Sequence, residues 1–398
     1  MVTVSRIAKL RARRPEFDMR FFTANERAVC GGVAQRWAAR WAAKEAVRKL
    51  AGSAGLPLPP WRDIEVRTSQ NGAPSAQVAG WSRPVAISLT HDGDLAVAIA
   101  ASNEAPVVVG HFEGVQLPAR VAGAHKGTFG RVIVAAGSRS FSGAAYLAAM
   151  GAARGGAGLV QLLVPESIYQ VVASKCSEVI VTPVTDEEGG FNRDLWRWID
   201  KESRASSLVV GCGWGQTNGA HHALVEIAQR FALPMVLDAD ALNIAAAKLF
   251  DWKRRPGPTV LTPHPAEMAR LCGTDVATVQ ANRVRMAQDL AARKSVFVVL
   301  KGADAVVAAP DGRLYVADYD VVALASGGSG DVFAGVCGAM LAQGLEPFEA
   351  AVAAVVIHAE AGMDVQRKFG RSGAVASDLL EVLPQAQERI RVALEAIG

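Results

Sequence analysis

The stretch "GGSGDVFAG", Gly327 to Gly335, carries three glycines ahead of an acid and no lysine after it. A P-loop needs that lysine, so this is a glycine loop of another kind. The residues that follow, "VFAGVCGAMLAQG", are apolar enough for a buried helix ending near Gly344. Gly327, Gly328 and Gly330 permit positive φ and close backbone approach. Bare N–H groups at the start of a helix attract phosphate oxygens. An acid at that point, Asp331, has two readings. It caps the helix for about 0.3–1 kcal/mol against the dipole, or it accepts a proton from a hydroxyl that attacks phosphorus.

Outward from this loop, from about Arg131 on, short apolar runs alternate with helical segments: "RVIVAAG", "GLVQLLVP", "EVIVTPV", "SLVVGCG", "PMVLDAD", "TVLTPHP" and "VFVVLKG". Near-continuous apolar strands belong to a sheet covered on both faces. The alternation predicts βαβ units in a mostly parallel α/β sheet. "AVVAAPDGRLYVAD" reads as a hairpin turning at Asp311–Gly312. Ligands of such sheets bind beyond the carboxyl ends of the strands. The polar clusters "AAGS", "GCGWG", "DADALN", "TPHPAE" and "KGADA" all fall there.

The first hundred residues read differently. "TANE", Thr23 to Glu26, is a capping box, and "RWAARWAAKEAVRKLAG" is a helix ending at Gly52. "DIEVRT", "VAISLT" and "LAVAIAA" are strand-like, so this is a small α+β unit. The chain has 398 residues, enough for two or three domains. The expected division is a front domain over 1–108, a linker over 109–122 and a rear domain over 123–398. With 51% hydrophobic residues, 20% charged and a mild net charge of +4, the chain reads as a globular one, and no nucleic-acid partner is expected. Arg6, Lys9, Arg11, Arg13 and Arg14 crowd the start, but helix-like patterning resumes at once, against a transit peptide. Nothing resembles a signal peptide, and apolar runs such as "AAVAAVVI", Ala350 to Ile357, are too short to span a bilayer, so no membrane association is expected; the scattered cysteines fit a reducing, cytoplasmic location. Cys30, Cys176, Cys212, Cys272 and Cys337 form no CxxC pair. That argues against a zinc site or disulfide framework, and each reads as a small buried hydrophobe.

The glycine loop resembles the GTGD-type loop of the ribokinase-like superfamily. Within it, residues 115–398 are similar to the ADP-dependent NAD(P)H-hydrate dehydratases. "HKGTFGRVIVAAGSRSFSGAAYLAAMGAARGGAGLV" (125–160), "LDADALN" (237–243), "LTPHPAEMARL" (261–271) and "VVLKGADAVVAAPDG" (298–312) match that family's blocks in order. The resemblance implies that ADP or ATP, with Mg²⁺, phosphorylates the C6 hydroxyl of the S epimer of NAD(P)H hydrate. Phosphate then leaves and NADH or NADPH is regenerated. It implies Asp331 as the base. Gly328, Ser329 and Gly330 would present N–H groups to the phosphate. Lys301, Gly302, Ala303, Asp304 and Ala305 would hold the nucleotide, and His264 the hydrated nicotinamide. Gly143, Ala144, Gly213 and Gly215 would shape the dinucleotide pocket, with Asp238 and Asn243 near the phosphates or Mg²⁺.

Plainer readings stand beside these: a strand-end surface lysine for Lys301, a turn residue for His264, close helix packing for Gly143 and Ala144, a loop cap for Asp238. Cys212 and Trp214 replace the Pro and Leu usual in the family's glycine loop, and Ser329 its Thr. Trp214 is therefore expected to alter how the substrate sits. "SLVVGCGWGQ" imitates a dinucleotide fingerprint, but Gln216 stands at its last glycine, which weakens a hydride-transfer reading. A small-molecule kinase of the same superfamily, on a trimer-forming scaffold, is the nearer alternative.

"RWAAKEAVRKLAG", "FFTANERAVC", "WRDIEV" and "SLTHDGDLAVAIA" resemble, in order, the holo-acyl-carrier-protein synthases, which move 4'-phosphopantetheine from CoA to acyl carrier protein. The resemblance implies that Glu45 holds Mg²⁺ on the CoA pyrophosphate, with Lys44 aiding. The family's first-strand Asp would stand just before Met1: either the start is placed too late, the reading preferred here, or the domain has lost its metal site, and for the sequence as written transfer is expected to be weak or absent. His91 is a turn residue as readily as a CoA contact, and Trp37 and Trp41 are core or interface anchors. A homo-oligomer is expected. No epimerase-like region is present in the sequence.

Overall fold

The computed structural model describes the chain except Met1, Pro15, 54–58, 69–72, 80–83, 102–106, 110–114, Ser203, Asp251, 253–254, Asp320 and Gly398. The stretch "SNEAP" and part of the expected linker therefore lie outside the described residues. The chain forms two compact units: Met1–Val109 with Gly312–Val316, and Gly110–Asp311 with Ala317–Gly398.

The front unit has a five-stranded antiparallel sheet of β1 (Val2–Thr3), β2 (Ile64–Thr68), β3 (Pro74–Val78), β4 (Val85–Asp92) and β5 (Leu95–Ala101), in the order β1-β5-β4-β3-β2. The expected helix runs Ala34–Ser53. β4 is longer than "VAISLT" suggests. His91 pairs opposite Ala96 inside the ladder, and the turn falls at Gly93, so His91 is a strand residue. Trp37 is buried, and Trp41 stacks between Phe17 at 5.1 Å and Trp61 at 4.5 Å, which makes both tryptophans core anchors. Such ring pairs add about 0.5–1.5 kcal/mol each beyond their buried area.

Thr23 and Glu26 form the predicted capping box at the Ala24–Cys30 helix. Glu26 does more than cap. Its Oε2 pairs with Lys44 Nζ at 2.8 Å, with both side chains wholly buried. Its Oε1 accepts from Val66 N at 3.0 Å. Lys44 also donates to Trp61 O at 2.8 Å and to Ile64 O. Lys44 is therefore a core residue, and the expectation that it aids a phosphate is corrected: every proton of the ammonium is already directed at an oxygen inside the protein. β6 (Val107–Val109) pairs in parallel with Leu314–Val316.

The rear unit is built on β7 (Arg131–Ala135), β8 (Leu159–Pro165), β9 (Ile180–Val184), a β10 (Asp186–Glu187) and β11 (Gly190–Phe191) ribbon, β12 (Ser207–Val210), β13 (Met235–Leu237), β14 (Thr259–Leu261), β15 (Phe297–Leu300) and β16 (Val306–Ala308). β17 (Leu314–Val316) completes the chain's strands, and β16 and β17 flank the predicted Asp311–Gly312 turn. The order β16-β15-β14-β13-β12-β7-β8-β9 holds the seven expected strands, all parallel, with β16 antiparallel at the end. β12, β13, β14 and β15 are buried at every position, as strands with two covered faces must be.

The Ser142–Arg154 and Ser329–Ala342 helices pack backbone to backbone. A Cβ on Gly335 would lie 2.1 Å from Ala148 O, and one on Gly151 would lie 2.4 Å from Val332 O. Only glycine permits that approach. No described helix is long and apolar enough to cross a membrane.

Candidate active site

Five strands deliver their next residues to one edge of the sheet. β7 leads to Gly137, β12 to Gly211–Gly215, β13 to Asp238, β14 to Thr262 and His264, and β15 to Lys301. Two chain reversals make this possible. Gly211 sits at φ +108°, where a Cβ would meet Asp238 O at 2.1 Å. Ala239 takes φ 50°, ψ −117°, an arrangement that costs a non-glycine residue about 1–3 kcal/mol.

Asp238 is the centre of the cluster and only 2% exposed. Its two oxygens have different surroundings. Oδ1 accepts from Lys301 Nζ at 2.6 Å and from Thr262 Oγ1 at 2.6 Å. Oδ2 faces the Cys212 thiol, Sγ at 3.8 Å. Burial pulls the Lys301 pKa down, but the Asp238 and Glu267 carboxylates outweigh it and hold the ammonium charged. Asp331 stands across from Asp238. Burial first, and then the Asp238 charge, push its carboxyl from 3.8 up to about 7, against the opposing pull of the Cys212 hydrogen bond and Lys301. Burial and the same two carboxylates keep the Cys212 thiol protonated.

The glycine loop meets this cluster. Gly328 precedes the helix at φ 90°. A Cβ on Gly330 would lie 3.2 Å from Lys301 Nζ and 3.9 Å from Asp238 Oδ2, so the lysine lies against bare backbone. Ser329 N already donates to Ser326 O at 3.3 Å, which differs from the free N–H expected of it. Gly330 and Asp331 belong to the first turn, whose N–H groups have no intrahelical acceptor.

Beside the loop lies a cavity of about 510 Å³. Lys301, His264 and Gly330 form its polar end, and Tyr319, Leu324 and Val355 its apolar walls. Gly302, Ala303, Ala305 and Ser329 also line it, whereas Asp304 and Gly328 do not. The Asp304 carbonyl is turned to Arg283, Nη2 at 3.0 Å. Asn243 is held one step away, between Asp240 at 3.4 Å and Arg270 at 2.8 Å.

His264 caps the Pro265–Cys272 helix, its Nδ1 accepting from Ala266 N at 3.1 Å. Nδ1 therefore carries no proton, and Nε2–H lies 3.3 Å from Glu267 Oε1. Burial, Lys301 and Arg270 keep this imidazole neutral. Burial raises Glu267 to about 7. On the β7–β12 side, a Cβ on Gly213 would meet Ala144 Cβ at 2.8 Å, so those two are in contact. Gly143 faces open space, and Gly215 N donates to Asp240 Oδ2 at 2.8 Å. Trp214 is wholly buried, its Nε1 donating to Ala135 O at 2.6 Å. It is a core residue, which corrects the expectation that it alters how a substrate sits.

Two residues escaped the sequence reading. His358 donates Nε2–H to Ser329 O at 3.0 Å and lines the cavity, and burial lowers its pKa to about 4. A lone histidine in the apolar run "AAVAAVVIHAEAG" was its signal. Cys212 is buried as expected, but it shares a group of potential metal donors with Asp238 and Asp331. Glu45, half-buried on its helix, belongs to no such group among the described residues.

An acid, a lysine and a bare glycine loop at the carboxyl edge of a parallel sheet define a ribokinase-like α/β protein. A ribokinase-like superfamily protein from Enterococcus faecalis shares the fold at a TM-score of 0.60 and 22% identity, over 70% of this chain and 94% of that one. The chain belongs to the NAD(P)H-hydrate dehydratase family, whose model matches residues 132–385. Residues 1–100 match the 4'-phosphopantetheinyl transferase superfamily. An ADP-dependent (S)-NAD(P)H-hydrate dehydratase from Neisseria meningitidis is 38% identical over 68% of this chain and 88% of its own length. A bifunctional NAD(P)H-hydrate repair enzyme from Moorella thermoacetica is 36% identical over 71% of this chain and 54% of its own. The chain thus spans about half the length of the bifunctional relatives it matches. The ADP/ATP-dependent dehydratase from Bacillus subtilis, crystallised with ATP and Mg²⁺, superposes at a TM-score of 0.61 with 31% identity, over 69% of this chain and 94% of that one.

Proposed function

We propose that residues 123–398 carry out nucleotide-dependent dehydration of the S epimer of NAD(P)H hydrate, and that 1–108 form a separate transferase-like domain. The observation that carries the first assignment is Asp331, a carboxyl near neutrality beside Lys301 and bare loop backbone. A base is most effective when its pKa lies near the working pH. The adenine of ADP or ATP lies in the apolar part of the cavity, and its phosphates run to Lys301 and Gly330. The hydrated nicotinamide lies on the other side of the loop, near Gly143, Ala144, Gly213 and Gly215, and reaches His264 at the cavity's polar end.

Asp331 takes the C6 hydroxyl proton as that oxygen bonds to the terminal phosphorus and the nucleotide oxygen leaves. Lys301 and the first-turn N–H groups hold the charge on the moving phosphoryl group. Phosphate is a far better leaving group than hydroxide. The ring-nitrogen lone pair expels it, and loss of a C5 proton restores the dihydronicotinamide. Asp238 Oδ2 is a hard oxygen whose twin is already engaged, so this chain fits an Mg²⁺ brought in by the nucleotide. Bound there, the ion would neutralise phosphate charge.

Incubation with hydrated NADH, Mg²⁺ and ADP or ATP tests the reading by the absorbance of reduced nicotinamide. No recovery with either nucleotide, under conditions where the Neisseria relative restores it, overturns the assignment. For the front domain, CoA, Mg²⁺ and apo acyl carrier protein are the matching assay, with Glu45→Gln as its control.

A further inference from the structure

We infer that Cys212 Sγ, Asp238 Oδ2 and the Asp331 carboxylate form a site for a soft divalent cation of the zinc group, and that occupancy shuts the active site. The three donor atoms lie within 4.8 Å of one another. A tetrahedral ion at about 2.3 Å from sulfur and 2.0–2.2 Å from oxygen sets its ligands roughly 3.4–3.6 Å apart. The observed Sγ–Oδ2 distance is 3.8 Å. Little movement is needed.

Two features of the cluster ask for a cation. The carboxylate of Asp238 is 2% exposed, yet Oδ2 has only a thiol facing it, a weak donor, while Lys301 and Thr262 are committed to Oδ1. Asp331 brings a second carboxylate into the same space, so two like charges compete there. Gly330 has no side chain to fill the gap. Asp331 is the half-buried member of the three and the way in.

The choice of ion follows from the donors. Mg²⁺ prefers oxygen and keeps its waters, so the thiol adds nothing for it. A zinc-group ion takes sulfur and both oxygens and leaves a fourth position open. On binding, the thiol proton goes to solvent and the sulfur lone pair forms the new bond, with no change of oxidation state. The ion then occupies Asp331, which can no longer accept a hydroxyl proton. The inhibition rests on the dehydratase reading, whereas the binding stands apart from it.

Cadmium titration in the presence of Mg²⁺, followed by the ultraviolet charge-transfer band of cadmium thiolate, tests the binding. The unaltered chain should take up one equivalent more than Cys212→Ala, the other four thiols cancelling in the difference. Cys212→Ser keeps the volume and should lose the same equivalent. Equal uptake by all three proteins overturns the site. Zinc inhibition, read as each protein's ratio to its own uninhibited rate, should weaken at least about tenfold in Cys212→Ala and Cys212→Pro. An unchanged inhibition constant overturns the shut-down. If no protein turns over the hydrate, the dehydratase reading fails, and the cadmium difference still decides the site.

Discussion

Each unit of this chain pairs a lysine with a buried carboxylate, and the two pairs are finished differently. In the front unit Lys44 and Glu26 are both wholly buried. Glu26 accepts from Lys44, Thr23 N and Val66 N, and Lys44 donates to two further carbonyls. Burial draws the Lys44 pKa down, and Glu26 resists. In the rear unit Lys301 is 21% exposed, its pKa is raised, and Asp238 keeps one oxygen for a thiol. Geometry at the short contact is much the same, 2.8 Å against 2.6 Å. On the proposed function, what separates the structural pair from the working one is the valence left over once the pair has formed.

If that distinction is right, the two pairs respond differently to damage. The largest effect is expected from Asp331→Asn, which should cut the hydrate-dependent rate about 10²–10⁴-fold in steady-state assays. A near-normal rate would return Asp331 to a helix cap. Lys44→Met leaves Glu26 buried without its partner and should cost the front unit about 3–5 kcal/mol in denaturant titration, with rear-unit turnover retained. Lys301→Met should reverse the pattern: about 10²–10³-fold in rate, with a smaller loss of stability than Lys44→Met. Equal stability losses would erase the comparison.

The pH profile sharpens it further. A base must be ionised, so the rate should climb through about pH 7 and level off above, standing about tenfold below its plateau one pH unit under the pKa. Asp331 has its pKa raised by folding, so the folded state holds the proton longer than the unfolded one. Its contribution to stability is therefore present below pH 4 and lost as pH rises to about 7. Thermal melts of Asp331→Asn should lack that slope. The smallest change is Thr23→Ala, which removes one cap bond beside Glu26 and should cost about 1 kcal/mol.

The parallel sheet was legible because its strands are near-continuous apolar runs, as in "MVL" and "FVVL". β3, "PSAQV", was not: its burial alternates too weakly behind a proline and two polar residues. The site was legible where backbone demands a residue type, at the glycine loop, or where a strand ends on a charge, at Lys301 and Asp238. Lys44 defeated the reading because its partner Glu26 lies eighteen residues earlier, on another helix. Cys212 was noticed as an odd replacement, but only the fold brings it to Asp238, 26 residues on. Trp214 misled for the related reason that sequence gives no direction to a side chain.

The glycine-to-backbone seam between the Ser142–Arg154 and Ser329–Ala342 helices has a further consequence. With Gly335 against Ala148 O and Gly151 against Val332 O, the helix that carries Asp331 is clamped at its backbone, so on the proposed reading the acid cannot travel with its helix toward a target. If the proposal holds, substrates have to come to a fixed anvil, and adjusting the reaction falls to exchanges in the atoms around the acid, one sulfur at a time.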